Sequence, residues 1–241
     1  MGHPLDDAYV QLDGARHDID VLKNLVLPWQ AQDAYDVVRN HDPETGDDVL
    51  RVRHRDPPAE FGRQFGRIVG GLRAALDYLI YQLAILDSGS AQEGTQFPIA
   101  DSPELFEGAV KKGQLKGLSA DHINAIEGCQ PYNRARWLRQ VRELSNPDKH
   151  KHLNAVASFR FPGSTTQIVV DHKPYHFPHR LQTWGSQWGI SPTPATEMKV
   201  EFYVAVRVSL SDGSPVIETL EILETGVRHL MDAFKPDFEG A

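Results

Sequence analysis

Between residues 58 and 88, the side chains Phe61, Phe65, Ile68, Leu72, Leu76, Leu79, Leu83 and Leu86 recur at steps of four and three. Only a helix brings residues so spaced onto one face, and a face this long and apolar has to be covered by other helices. Val69, Ile80 and Ala84 widen the stripe, and Pro57-Pro58 marks its start. The same spacing predicts partners elsewhere in the chain. Leu5, Tyr9, Leu12, Ile19, Leu22 and Val26 form a stripe in residues 4–27 that Pro28 is expected to stop. Trp137, Leu138, Val141 and Leu144 form another, and Ile217, Leu220, Leu223, Val227, Leu230 and Phe234 a third. A second period within the long helix, Gly62, Gly66, Gly70 and Ala74, predicts a small-residue face that meets a neighbouring helix at Gly66. Arg63, Arg67 and Arg73 interrupt the segment and argue against a membrane-dimer face.

The remaining periodicity is two. Val-rich runs flanking a turn-forming cluster at residues 41–47 predict a β-hairpin over 34–54. Residues 153–161 and 166–171 are expected to form a second hairpin through Pro162-Gly163-Ser164. The alternation from Met198 to Leu210 predicts a long strand, with residues 172–196 as an irregular loop before it. The expected fold class is therefore α+β. An antiparallel helical bundle surrounds a long central helix, with an inserted or appended antiparallel β-sheet. One domain over 1–241 is expected, with helical core at 4–27, 58–88, 102–152 and 215–235 and an antiparallel β segment at 153–210. The chain carries 25 Lys and Arg against 33 Asp and Glu, and its one cysteine, Cys129, excludes an internal disulfide. With no basic, apolar leader at its start and no apolar run near the roughly 18 residues of a membrane span, a cytoplasmic location without membrane contact is expected.

Four short stretches carry a likeness to known proteins: Leu72-Arg73-Ala74-Ala75-Leu76-Asp77-Tyr78-Leu79, Gln96-Phe97-Pro98-Ile99, Gln130-Pro131-Tyr132 and Asn146-Pro147-Asp148-Lys149-His150. In order and context they resemble a group of uncharacterised bacterial and phage-type proteins. The long helix followed by a helix leading into Asp-Lys-His also resembles the HEPN class of helical-bundle domains, many of which are RNA-cleaving toxins, defence proteins or inactive binding relatives. The resemblance implies a helical core. Active members carry an Arg followed by His after four to six residues, and no such pair occurs here; Arg142 and His150 come nearest, with seven residues between them.

Charge points to the same part of the chain. Between residues 132 and 153, Arg134, Arg136, Arg139, Arg142, Lys149 and Lys151 are opposed only by Glu143 and Asp148, in a protein of net charge −8. A row of arginines suits phosphate, so Arg136, Arg139, Arg142, Lys149 and Lys151 are the expected anion or nucleic-acid contact face. An enzymatic alternative assigns proton transfer to His150, its positioning to Asp148 and charge stabilisation at a phosphodiester to Arg142. Asn146, Pro147 and Asp148 equally suit the start of a helix, which accounts for them without chemistry. A second alternative gathers a metal on His150, His172, His176 and His179, although their spacing matches no strong ligand signature and Pro174 and Pro178 oppose a shared helix face. Binding is favoured over catalysis. A nucleic acid, another protein or a second copy of the chain is the expected partner, and no cofactor is expected.

Overall fold

The computed structural model describes residues 3–32, 55–145, 208–210 and 212–239 with their side chains, and the strands at 35–41, 48–54, 154–160, 167–170, 173–176, 182–184, 187–189 and 203–207 by their backbone. Contacts divide the chain into two compact units. The first gathers residues 1–23, 59–152 and 216–241, and the second residues 24–58 and 153–215.

The first unit is built on α2 (Ala59–Ser88), whose predicted stripe is the buried one: Phe61, Phe65, Ile68, Leu72, Leu76, Leu79 and Leu83 are all buried. Gly89, at φ 75°, ends the helix in the left-handed region that glycine enters without steric penalty. Three short helices follow. In α3 (Pro103–Lys111), Ser102 caps the amide of Leu105 and a proline fills the first turn. In α4 (Ala120–Gly128), Ser119 caps the amide of His122. The third, α5 (Trp137–Leu144), buries Leu138 and Val141. The last helix, α6 (Val216–Phe234), runs into a 3-10 turn, Lys235–Phe238. The central helix α2 touches both α5 and α6, and those two touch each other. Each apolar stripe is thus covered by another.

The opening helix, α1 (Asp6–Gln32), continues through Pro28 instead of stopping at it. Proline removes one intrahelical hydrogen bond near the end, and the remaining bonds carry the helix one turn further. Against α6 it runs antiparallel, with Tyr9 donating to Asp232 (2.6 Å), Arg228 to Asp13 (2.9 Å) and Lys23 to Glu221 (3.2 Å). Burial, with the Asp232 carboxylate beside it, pushes the Tyr9 phenol up.

The glycine face is elsewhere than expected. A Cβ placed on Gly66 or Gly70 meets nothing within 4 Å, so at these two positions no packed neighbour stands against the helix. The close approach falls at Gly226 of α6, where a Cβ would stand 2.7 Å from the indole of Trp137, and at Gly71, where it would stand 3.5 Å from Ala15. By length and composition α2 could also cross a membrane, and 50% of that apolar stretch is buried within the protein.

The α+β class with an antiparallel sheet is overturned. Of the residues described with side chains, 70% are helical, in six closely packed helices, and only one short strand without a sheet remains among them. In the second unit the described strands pair two by two. β1 (Tyr35–His41) lies antiparallel to β2 (Asp48–His54), with Tyr35 opposite His54. β3 (Asn154–Arg160) does not turn back on the strand that follows it. Its partner is β8 (Tyr203–Ser209), while β4 (Gln167–Val170) pairs with β5 (Lys173–His176) and β6 (Gln182–Trp184) with β7 (Gln187–Gly189). Three short strands therefore lie in the stretch expected to be an irregular loop. Alternation marks which residues extend, but it says nothing of which strand they meet, and that choice sets the topology.

Candidate anion-binding cleft

Residues 96–101 cross the first unit as an irregular strap, fastened from α2, from α5 and from the connection between α4 and α5. On α2, Arg73 and Asp77 lie one turn apart and form a bidentate ion pair, at 2.9 and 3.2 Å. Together they grip one residue of the strap: the Phe97 amide donates to Asp77 Oδ1 (2.9 Å), and Arg73 Nη2 donates to the Phe97 carbonyl (2.7 Å). Between α4 and α5, Gln130 is fully buried. Its Oε1 accepts the Ala100 amide at 2.8 Å while its Nε2 donates to the Ile126 carbonyl at 3.1 Å. From α5, Arg142 donates to the Ile99 carbonyl (3.2 Å) and to Asp101 (2.6 Å), and Arg139 donates to the other oxygen of Asp101 (2.8 Å).

Two carboxylates, Asp77 on α2 and Asp101 on the strap, respond to this differently. Burial pushes the Asp77 carboxyl up in spite of Arg73 and the Phe97 amide. Hydrogen bonds from Arg142 and then Arg139 hold Asp101 below the usual carboxylate range. Asp101 also corrects the charge reading of α5. Two of the predicted free arginines are already paired with a carboxylate that lies 38 and 41 residues away in sequence, outside any local window.

Beside the strap lies an open cleft of about 540 Å³. Arg73, Arg142 and Ser145 line it together with Leu105, Ala109, Gln114 and the strap itself. Gln114 is tied to the strap by its side chain, which donates to Gln96 Oε1 at 3.2 Å, and by its carbonyl, which accepts the Gln96 amide at 2.9 Å. Two guanidinium groups, each held in place by a carboxylate and a backbone carbonyl, keep one nitrogen apiece, Arg73 Nη1 and Arg142 Nε, without a partner among the described residues. This arrangement can receive an anionic group without first ordering a flexible side chain.

Of the expected contact face, Arg136 is exposed at the start of α5 and makes no ion pair among the described residues, Arg139 and Arg142 hold Asp101, and Lys149 and Lys151 lie outside the described residues. Of the expected catalytic set only Arg142 is described, since Asp148 and His150 lie outside that range. His172 and His179 also lie outside it, and His176 is described only as the last backbone position of β5. Among the described residues no group of three or more metal-ligating side chains converges. Cys129 ends α4, and burial pushes its thiol up, the opposite of an activated nucleophile. Sequence reasoning missed Arg73, Asp77, Gln130 and Asp101 as a working group. The first three lie in the quoted motifs, so the motifs were the signal; their convergence is a property of the fold. The chain matches no protein-family model, no curated protein and no solved structure.

Proposed function

We propose that this is a cytoplasmic binding protein whose cleft and adjoining α5 face receive a phosphate-bearing ligand, nucleic acid first among them. The observation that carries this reading is the pair of guanidinium groups, Arg73 and Arg142, that line one cleft, each with a nitrogen unpartnered among the described residues. Exposed Arg136 and half-exposed Arg139 extend the positive edge along α5. An inactive, binding relative of the HEPN class is the family reading that accompanies this proposal. Both terminal nitrogens of Arg142 are engaged by the protein itself, which weighs against using it to stabilise charge in a cleavage reaction.

The test is titration of the full chain with labelled single-stranded RNA and DNA oligonucleotides over a salt series. Affinity should fall steeply with salt, and Arg136→Ala should weaken binding across sequences and reduce the salt slope by about 1. Absence of binding to either oligonucleotide at low ionic strength overturns the nucleic-acid reading and leaves a protein partner.

A further inference from the structure

Away from the cleft, His122 stands between two carboxylates from different parts of the chain. Its Nδ1 lies 2.7 Å from Asp87 Oδ2, near the end of α2, and its Nε2 lies 3.4 Å from Asp237 Oδ2, in the C-terminal turn. Ser119 completes the surroundings from the same helix start. Its amide donates to the same Asp87 oxygen at 2.6 Å, and its hydroxyl accepts the His122 amide at 3.3 Å. The ring of Phe234, from α6, lies 6.3 Å away. Among the described residues, Asp87 and Asp237 are the charged groups facing the imidazole.

Both ring nitrogens face acceptors, and an imidazole can donate from both only when it carries two protons. A neutral ring has one proton to place. The Asp87 contact is shorter and more deeply placed, with Asp87 12% exposed against 42% for Asp237, so the proton stays on Nδ1. Burial works to push the Asp87 carboxyl up, but the Ser119 amide and His122 together hold it below its usual range, ready to accept. Nε2 then turns a lone pair toward the Asp237 carboxylate, and attraction becomes repulsion.

We propose that His122 is a pH-operated clasp: doubly protonated it holds the C-terminal turn Lys235–Phe238 to the body of the first unit, and on losing a proton it lets that turn go. The turn matters because Phe238, buried at its end, stands edge-on to His3 at 6.0 Å, beside the start of α1. Opening the clasp uncovers that apolar corner. The direction is fixed by the charges: acid closes it and base opens it.

The experiment is amide hydrogen exchange of the full chain from pH 5 to 8.5, corrected for the intrinsic pH dependence of exchange. It follows the Glu239 amide, which donates to the Pro236 carbonyl at 3.1 Å, against the Ala100 amide as an internal reference. Protection at Glu239 should fall by about two- to fivefold as pH rises, the range a partly exposed ion pair is worth, while Ala100 stays constant. Asp237→Asn, at a substantially exposed position, keeps the fold and should abolish the pH dependence, because an amide presents no charge to either form of the ring. A constant Glu239 protection in the wild-type chain, an equal fall at Ala100, or the same fall in Asp237→Asn overturns the proposal.

Discussion

The strap at residues 96–101 and the turn Lys235–Phe238 are both irregular chain laid over the same helical unit, and they are fastened by different chemistry. The strap is held through its backbone: an amide to Asp77, another to Gln130, and carbonyls to Arg73 and Arg142. The turn is held by side chains at its surface, chiefly one imidazole to carboxylate contact and one ring edge. Backbone groups do not titrate, and Gln130 carries no charge to lose. The difference teaches that binding a segment's peptide groups shares its hold among several partners, whereas binding one ionisable side chain makes the hold respond to a single proton.

The comparison breaks most visibly at Gln130. Gln130→Leu keeps the volume but leaves the buried Ala100 amide unpaired and takes one of two donors from the Ile126 carbonyl, which keeps the Cys129 amide, and should cost about 2 kcal/mol in urea unfolding. A loss below about 0.5 kcal/mol, within the usual range for an exposed site, would show that the strap is held elsewhere. Next comes Arg142→Ala, which removes the bonds to Ile99 and Asp101. Solvent screens this half-exposed pair, so a loss of about 1 kcal/mol is expected, and Arg142→Lys should recover little because lysine lacks the fork.

A smaller effect, confined to acid, sharpens the contrast. Asp101 has its folded value lowered, so its stabilisation is present above the unfolded value near pH 4 and is lost as pH falls through the lowered one. Asp77 has its value raised by burial, so its contribution has the opposite sign: it is present below the unfolded value and lost as pH rises through the raised one. Asp101→Asn should therefore flatten the pH dependence of urea stability between roughly pH 2 and 4 and lower stability by a constant amount through the neutral range, where the turn responds. The smallest effect belongs to a position touching neither segment. Gly66→Ala should raise stability by up to about 1 kcal/mol, since the added methyl meets nothing and alanine favours the helix. A loss there, by thermal or urea unfolding, would restore the packed glycine face.

What the sequence made legible follows from distance along the chain. The α2 stripe was readable because residues that share a helix face lie three or four apart, and the buried positions from Phe61 to Leu83 are those the spacing marks. Ser102 and Ser119 announce their helix starts for the same local reason. The glycine period misled because an absent side chain has two meanings, contact or emptiness, and spacing cannot separate them. The true contact, Gly226 under Trp137, carries no period at all. For the cleft, the arginines of α5 could be read, yet their partner Asp101 could not, since a charge far off in sequence enters only through the fold. The pairing of β3 with β8 was hidden in the same way.

The helical unit is also divided in the order of its making. The whole of residues 153–215 is synthesised between α5 and α6, while α2 needs α6 for part of its cover. At roughly 5–20 residues per second, a nascent chain holds that apolar face open on the ribosome for seconds before its last helix emerges. Chaperones that recognise exposed leucine-rich helices have that interval in which to act, and a ribosome stalled before Val216 leaves them a face that nothing later in the chain will close.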